Sequence, residues 1–285
     1  MPEYFDIHAH PNFVAFDADR DEVILRALHA GVSINVVGTQ QDTSRKAVEL
    51  AEQYPEGVYA TVGLHPIHTA KSFHDAKELG EGGKEFTSRG EVFDPTFYKN
   101  LAAHPKVVAI GECGLDYFRE SEDAGFRIQE KVFREQIALA LEVKKPLMLH
   151  LRSGSGRSAY QDAFQILESC FLTHESSVRG NLHFFAGTID EAKPFLDLGC
   201  TFSFTGVITF AQSYDAVIRY LPLEAILSET DCPYVAPAPY RGTRNEPLYV
   251  REVARAIARI RGMAEADVAA ALRKNAETFF HISLT

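Results

Sequence analysis

Short apolar runs rich in β-branched residues alternate along this chain with longer amphipathic stretches. The runs predict strands over residues 4–7, 33–37, 58–62, 107–110, 146–149, 180–182, 200–204 and 225–228. Between them, periodic stretches predict helices over 20–30, 43–53, 96–103, 127–143, 159–170, 189–196 and 213–220. A helix over 248–261 follows the last strand, and one over 264–280 closes the chain. Strand-then-helix repeated in this way gives parallel strands with right-handed crossovers. Eight units in 285 residues favour a single (β/α)8 TIM barrel with an extra C-terminal helix over an open doubly wound sheet, because such barrels typically span about 250 residues. No linker or internal repeat divides the chain, so one domain over 1–285 is expected. Residues 71–91 break the rhythm. They are polar around a Gly-Glu-Gly-Gly core and read as a loop inserted after the third strand, at the active-site face.

Composition narrows the class. Hydrophobic residues make up 46% and charged residues 24%, values of an ordinary globular chain. No apolar run approaches the ~18 residues of a membrane span. The opening MPEYFDIHAH lacks the basic and apolar regions of a secretory signal. Cys113, Cys170, Cys200 and Cys232 form no CxxC pair and read as reduced thiols of a cytoplasmic protein. The net charge of −10 argues against indiscriminate binding to duplex DNA, which depends on Lys and Arg. It leaves room for a nucleic-acid substrate met by bound cations.

The chemistry lies at strand ends. His8 and His10 sit at i and i+2, a spacing that turns two imidazoles to one face of a strand. Alone this is weak, since about 0.4 such pairs arise by chance from 11 histidines in 285 residues. The position at the end of the first strand strengthens it. Glu112 follows the fourth strand between glycines at 111 and 114, His150 ends the fifth, His183 the sixth, and Glu229 and Asp231 the eighth. Singly, His150 and His183 each read more often as a core histidine, and Glu112 reads equally as a turn acid. Together they converge, because strand ends meet on one face of a barrel. Dispersed nitrogen and oxygen donors suit an open catalytic metal site, and six donors favour two divalent metal ions sharing a carboxylate.

At this point the sequence resembles the TatD family of metal-dependent deoxyribonucleases, within the amidohydrolase superfamily. The matching segments are DIHAHP (6–11), GLHP (63–66), GECGLDYFR (111–119), HLR (150–152), HFFAGT (183–188), FSFTGVITF (202–210), ETDCPY (229–234), RNEP (244–247) and NAETFF (275–280). The resemblance implies one metal on His8, His10, Glu112 and Asp231, and a second on Glu112, His150 and His183, with Glu112 bridging. It places His65 near the substrate. Arg152, Arg244 and Asn245 are candidate contacts to an anionic substrate, Arg by its fork of donors; Arg244 and Asn245 equally suit loop building. Glu229 either orients a ligand from behind or forms a salt bridge. The 71–91 stretch is longer than is usual for the family, and His68 is offset from the family's second His and carries no role.

The expected activity is hydrolysis of phosphodiesters at single-stranded DNA ends, with water acidified by the cations and Asp231 as general base. Two further readings stand beside it: hydrolysis of a small ester, lactone or amide, and a non-catalytic metal-binding scaffold. The metal would be Zn, Mn, Co or Mg. No obligate protein partner is expected. Because imidazole binds metal only when neutral, acidification below about pH 6 is expected to release metal and activity together. Metal content that stays constant through an acid titration would exclude this ligand set.

Overall fold

The structure, a computed structural model, describes residues 3–70, 73–74, 86–87, 90–118, 123–154, 156–172 and 179–283. Among the described residues, ten strands occur in chain order. They are β1 (Tyr4–Ala9), β2 (Val32–Val37), β3 (Val58–Val62), β4 (Phe73–His74), β5 (Phe86–Thr87), β6 (Val107–Asp116), β7 (Leu147–Arg152), β8 (Gly180–Leu182), β9 (Thr201–Phe204) and β10 (Ile226–Ser228). All but β4 and β5 form one parallel sheet of eight strands, paired in chain order. Helices α1 (Arg20–His29), α2 (Gln41–Gln53), α3 (Pro95–Ala102), α4 (Asp123–Val143), α5 (Ala159–Leu172), α6 (Ile189–Asp197) and α7 (Asp215–Tyr220) fall between those strands, and α8 (Val250–Arg261) and α9 (Glu265–Phe280) follow β10. This is the expected (β/α)8 barrel. Among the described residues, no helix is long and apolar enough to cross a membrane.

The seam between the last strand and the first is closed just beyond β10. The Asp231 N–H donates to His8 O at 2.9 Å and the His10 N–H to Cys232 O at 2.9 Å. Between these, the buried Asp6 carboxylate accepts the Thr230 N–H (2.8 Å) and hydroxyl (2.5 Å). Closure therefore fixes His8, His10 and Asp231 relative to one another. At the other end of the barrel, Phe5, Ile7, Val108, Met148 and Leu227 pack with Phe279 and Phe280 of α9, which seal the bottom with apolar surface.

Two strands run further than their apolar runs suggest. β6 continues to Asp116 and β7 to Arg152, so Glu112 and His150 lie inside strands rather than after them. Glycine makes the β6 extension possible. A Cβ at Gly111, which sits at φ +152°, would stand 2.5 Å from Met148 O, and one at Gly114 would collide with the His150 carbonyl. Most of the 71–91 stretch lies outside the described residues. β4 and β5 within it pair antiparallel, and Glu91 anchors its end by accepting the Gln41 N–H (3.0 Å) and the Tyr98 hydroxyl (2.7 Å).

Helix α4 steadies the mouth with two buried amides one heptad apart, which share a face. Gln136 accepts the Leu64 N–H and donates to Leu64 O, both at 2.8 Å, as a neighbouring strand would. Gln129 treats Asp116 in the same way, at 2.8 and 3.0 Å. Gln136→Ala strands two buried backbone groups next to His65, at about 1–3 kcal/mol each. We expect a loss of about 3 kcal/mol in urea unfolding; a loss below about 0.5 kcal/mol would contradict this role for the amide.

Candidate metal centre

The site is built around one carboxylate. Glu112 is buried, with 4% of its side chain exposed, at a register break in β6 between Gly111 and Cys113. His8 sits at a similar break in β1 between Asp6 and Ala9. Such bulges re-aim side chains next to active sites. Here they turn both groups to the barrel mouth.

The two oxygens of Glu112 face different partners. Oε2 lies 3.4 Å from His8 Nε2 and 3.9 Å from His10 Nε2. Asp231 Oδ1 is 3.7 and 3.3 Å from the same two nitrogens, which stand 3.2 Å apart. These separations bracket the edge of about 3.4 Å expected of a tetrahedron with ligand bonds near ~2.1 Å, so the donor set fits one cation. Oε1 meets His150 Nδ1 at 2.8 Å, His183 Nε2 at 3.2 Å and His65 Nε2 at 3.1 Å. The structure thus gathers His8, His10, Glu112, His150, His183 and Asp231 into one cluster, with His65 beside them.

Hydrogen bonds behind the imidazoles assign their tautomers. His10 Nδ1 donates to Val37 O at 2.9 Å, His150 Nε2 to Asp116 Oδ2 at 3.0 Å, and His183 Nδ1 to Glu229 Oε1 at 3.2 Å. In the neutral ring each leaves the opposite nitrogen, which faces the cluster, free to offer its lone pair to a metal ion, an arrangement found behind metal-bound histidines. His65 is the reverse. Its Nδ1 accepts the Ile67 N–H at 3.1 Å, so when neutral it carries its proton on Nε2 and donates toward Glu112. Although His65 groups with Glu112 and His150 by distance, this tautomer makes it a hydrogen-bond donor, not a metal ligand.

Charge is arranged to match. Burial would raise the Glu112 carboxyl, but His65, His183 and His8 outweigh it and hold the group well below its usual range. Burial, then the neighbouring His183, pushes His8 down to about 3, so it is neutral. The two rings stack with centroids 3.8 Å apart. Burial would also lower His150, yet its hydrogen bonds to Asp116 and Glu112 raise it to about 9. Glu229 and Glu112 likewise overcome burial at His183.

Glu229 is fully buried. It accepts the Phe184 N–H (2.6 Å) and the Ser203 hydroxyl (2.8 Å) besides His183. Asp231 adopts φ +54°, a conformation unusual for a non-glycine residue, and Phe184 adopts φ +46°. Such backbone strain collects where side chains must be aimed.

The remaining sequence candidates divide. Arg152 is exposed at the mouth end of β7, with its guanidinium carbon 3.9 Å from the Phe118 ring centroid. Arg244 grips Asp19 (2.8 and 2.5 Å) and Ala15 O (2.7 Å). The Asn245 amide donates to Thr230 O (2.9 Å) and Tyr234 O (2.6 Å), and its oxygen accepts the Glu246 N–H (2.9 Å). These bonds build the loop after β10. Asp116 was missed by sequence reasoning. The signal was present: it lies at i+4 from Glu112, on the same face of an extended strand.

The sequence matches the family described as TatD related DNase over residues 5–281. The chain belongs to the TatD family. A Bacillus subtilis protein described as an uncharacterized metal-dependent hydrolase, YabD, is 38% identical over 98% of this chain and 99% of its own length. A protein of Musicola paradisiaca named 3'-5' ssDNA/RNA exonuclease TatD is 32% identical over 98% of each chain. The crystal structure of the Escherichia coli TatD homolog YjjV superposes with a TM-score of 0.80 at 28% identity, covering 99% of each chain. The chain is accordingly a metal-dependent hydrolase of the TatD family.

Removing a carboxylate behind a metal-bound histidine costs about 10–100-fold in metal affinity. Glu229→Gln is expected to lose that much in a chelator-competition titration while remaining folded. An affinity equal to wild type would remove Glu229 from the metal centre.

Proposed function

We propose that this protein trims single-stranded DNA from its ends, hydrolysing phosphodiester bonds with two divalent ions that share Glu112. The observation that carries this reading is the division of that carboxylate, with one oxygen facing His8 and His10 and the other facing His150 and His183. His8, His10, Glu112 and Asp231 would hold one ion, and Glu112, His150 and His183 the other. Mixed imidazole and carboxylate donors accept Zn, Mn or Co, and Mg more weakly. Once bound, such ions acidify water and offset the charge gathering on the attacked phosphorus.

The chain's own residues supply the rest. Asp231 has 13% of its side chain exposed, against 4% for Glu112, so it is the carboxylate open to the mouth. It takes the proton of the attacking water and returns it to the leaving oxygen. The seam bond to His8 O holds its backbone in place. His65, with its proton on Nε2, donates to a phosphate oxygen as charge builds there. The relatives named as single-strand exonucleases support an open strand end as substrate. The four cysteines are free, which fits a reducing compartment such as the cytoplasm.

Asp231→Asn is expected to keep the fold and lower turnover of end-labelled single-stranded DNA at least about 100-fold. Near-normal rates would remove Asp231 from proton transfer. Chelator treatment should abolish wild-type trimming, and Mn²⁺ or Zn²⁺ should restore it. Lactone turnover without any DNA trimming would overturn the nuclease reading.

A further inference from the structure

Two arginines at the barrel mouth each cover an exposed aromatic ring. Among the described residues, Arg20, Arg26, Arg45, Arg157, Arg219, Arg244 and Arg255 each pair with a carboxylate. Arg152 and Arg241 have no such ion pair there, although the chain carries ten more acidic than basic residues. Each instead lies over an exposed aromatic ring. Arg152 sits 3.9 Å from the centroid of Phe118, which is 60% exposed, and Arg241 sits 4.1 Å from that of Phe210, which is 45% exposed. Asp116 feels the Arg152 charge without a close ion pair between them, and a large apolar ring left in water beside such a guanidinium suits a ligand with both a flat face and negative charge.

Both pairs occupy the face that carries the metal cluster. Phe118 follows β6, and its N–H donates to Asp116 Oδ1 (3.0 Å), while Asp116 Oδ2 holds His150 (3.0 Å). The first pair is thus one carboxylate away from the cluster. Phe210 follows β9, and Arg241, in the loop after β10, donates to Ala236 O at 3.2 Å. The two loops are locked together. The Ala238 N–H donates to Thr209 Oγ1 at 2.8 Å, and a Cβ on Gly206 would stand 2.5 Å from Val235 O. In the strand order, β6–β7 and β9–β10 lie on separate flanks of the mouth.

We propose that Phe118–Arg152 and Phe210–Arg241 form two base-stacking subsites flanking the metal centre, which hold nucleotides of a single strand adjoining the scissile phosphate. Bases stack on the aromatic or guanidinium plane, and the guanidinium edge meets the backbone phosphates. Every base has such a face, so the subsites read strandedness without reading sequence. They confer affinity that grows with strand length. This inference rests on the nuclease reading above.

The test is a length series of single-stranded oligonucleotides, from two to ten nucleotides, assayed with the metal-loaded protein. In the wild type, KM should fall about tenfold or more as the strand becomes long enough to reach the subsites. Phe118→Ala and Phe210→Ala should each flatten that dependence with little change in kcat on the long strand. Phe118→Trp and Phe210→Trp, which keep a stacking face, should restore it. Both phenylalanines are exposed, and thermal unfolding of each variant verifies the fold. A wild-type KM independent of length, or alanine variants that keep the wild-type dependence, would overturn the subsites while leaving the nuclease reading intact. Absence of oligonucleotide cleavage by the wild type would overturn both.

Discussion

An ionised carboxylate buried at the centre of a barrel mouth is unstable unless positive charge surrounds it, because burying an unpaired charge is prohibitively costly. Glu112 is that group, and the site follows from how its charge is met. Five histidines from four strand ends turn a ring nitrogen toward its two oxygens. The neighbouring carboxylates raise His150 and His183 above the usual imidazole range, which favours their cationic forms beside Glu112. The same positions suit divalent ions, which would bring the compensating charge in their place. Asp231 approaches only the His8–His10 side, so the cluster is unsymmetrical and leaves one carboxylate facing solvent.

The fold contributes rigidity at each point where that arrangement needs it. Register breaks in β1 and β6 turn His8 and Glu112 toward the mouth. The seam bonds among His8, His10, Asp231 and Cys232 make barrel closure and alignment of these groups a single event. Behind the histidines, Asp116, Glu229 and Val37 O fix ring orientation. Gln136 and Gln129 hold the backbone next to His65 and at Asp116. Preorganisation of this kind lets fixed dipoles act on a reacting group without reorganising.

The architecture was legible because alternation of apolar runs and amphipathic stretches is set by local periodicity. The clustering of these six residues was legible because His and carboxylate groups at so many strand ends are far from chance, and strand ends of one barrel converge. What escaped depends on contacts across the sheet. The extension of β6 past Ile110 rests on Gly111 and Gly114 lying against Met148 and His150 of a neighbouring strand, which no apolar run reveals. Asp116 drew no role because its partner, His150, lies 34 positions away. Arg244 and Asn245 resembled anion ligands by type, but their bonds to Asp19, Thr230 and Tyr234 are set by loop packing. The tautomer of His65 rests on one backbone N–H, that of Ile67.

If Glu112 joins two metal positions, as proposed, the stoichiometry of bound metal depends on it. The direct measurement is the number of divalent ions bound per chain, by elemental analysis after reconstitution, for wild type and for Glu112→Gln with its fold verified by circular dichroism. Two ions per chain are expected in the wild type and at most one, weakly held, in the variant. Two firmly bound ions in Glu112→Gln, or a single ion in the fully reconstituted wild type, would contradict it.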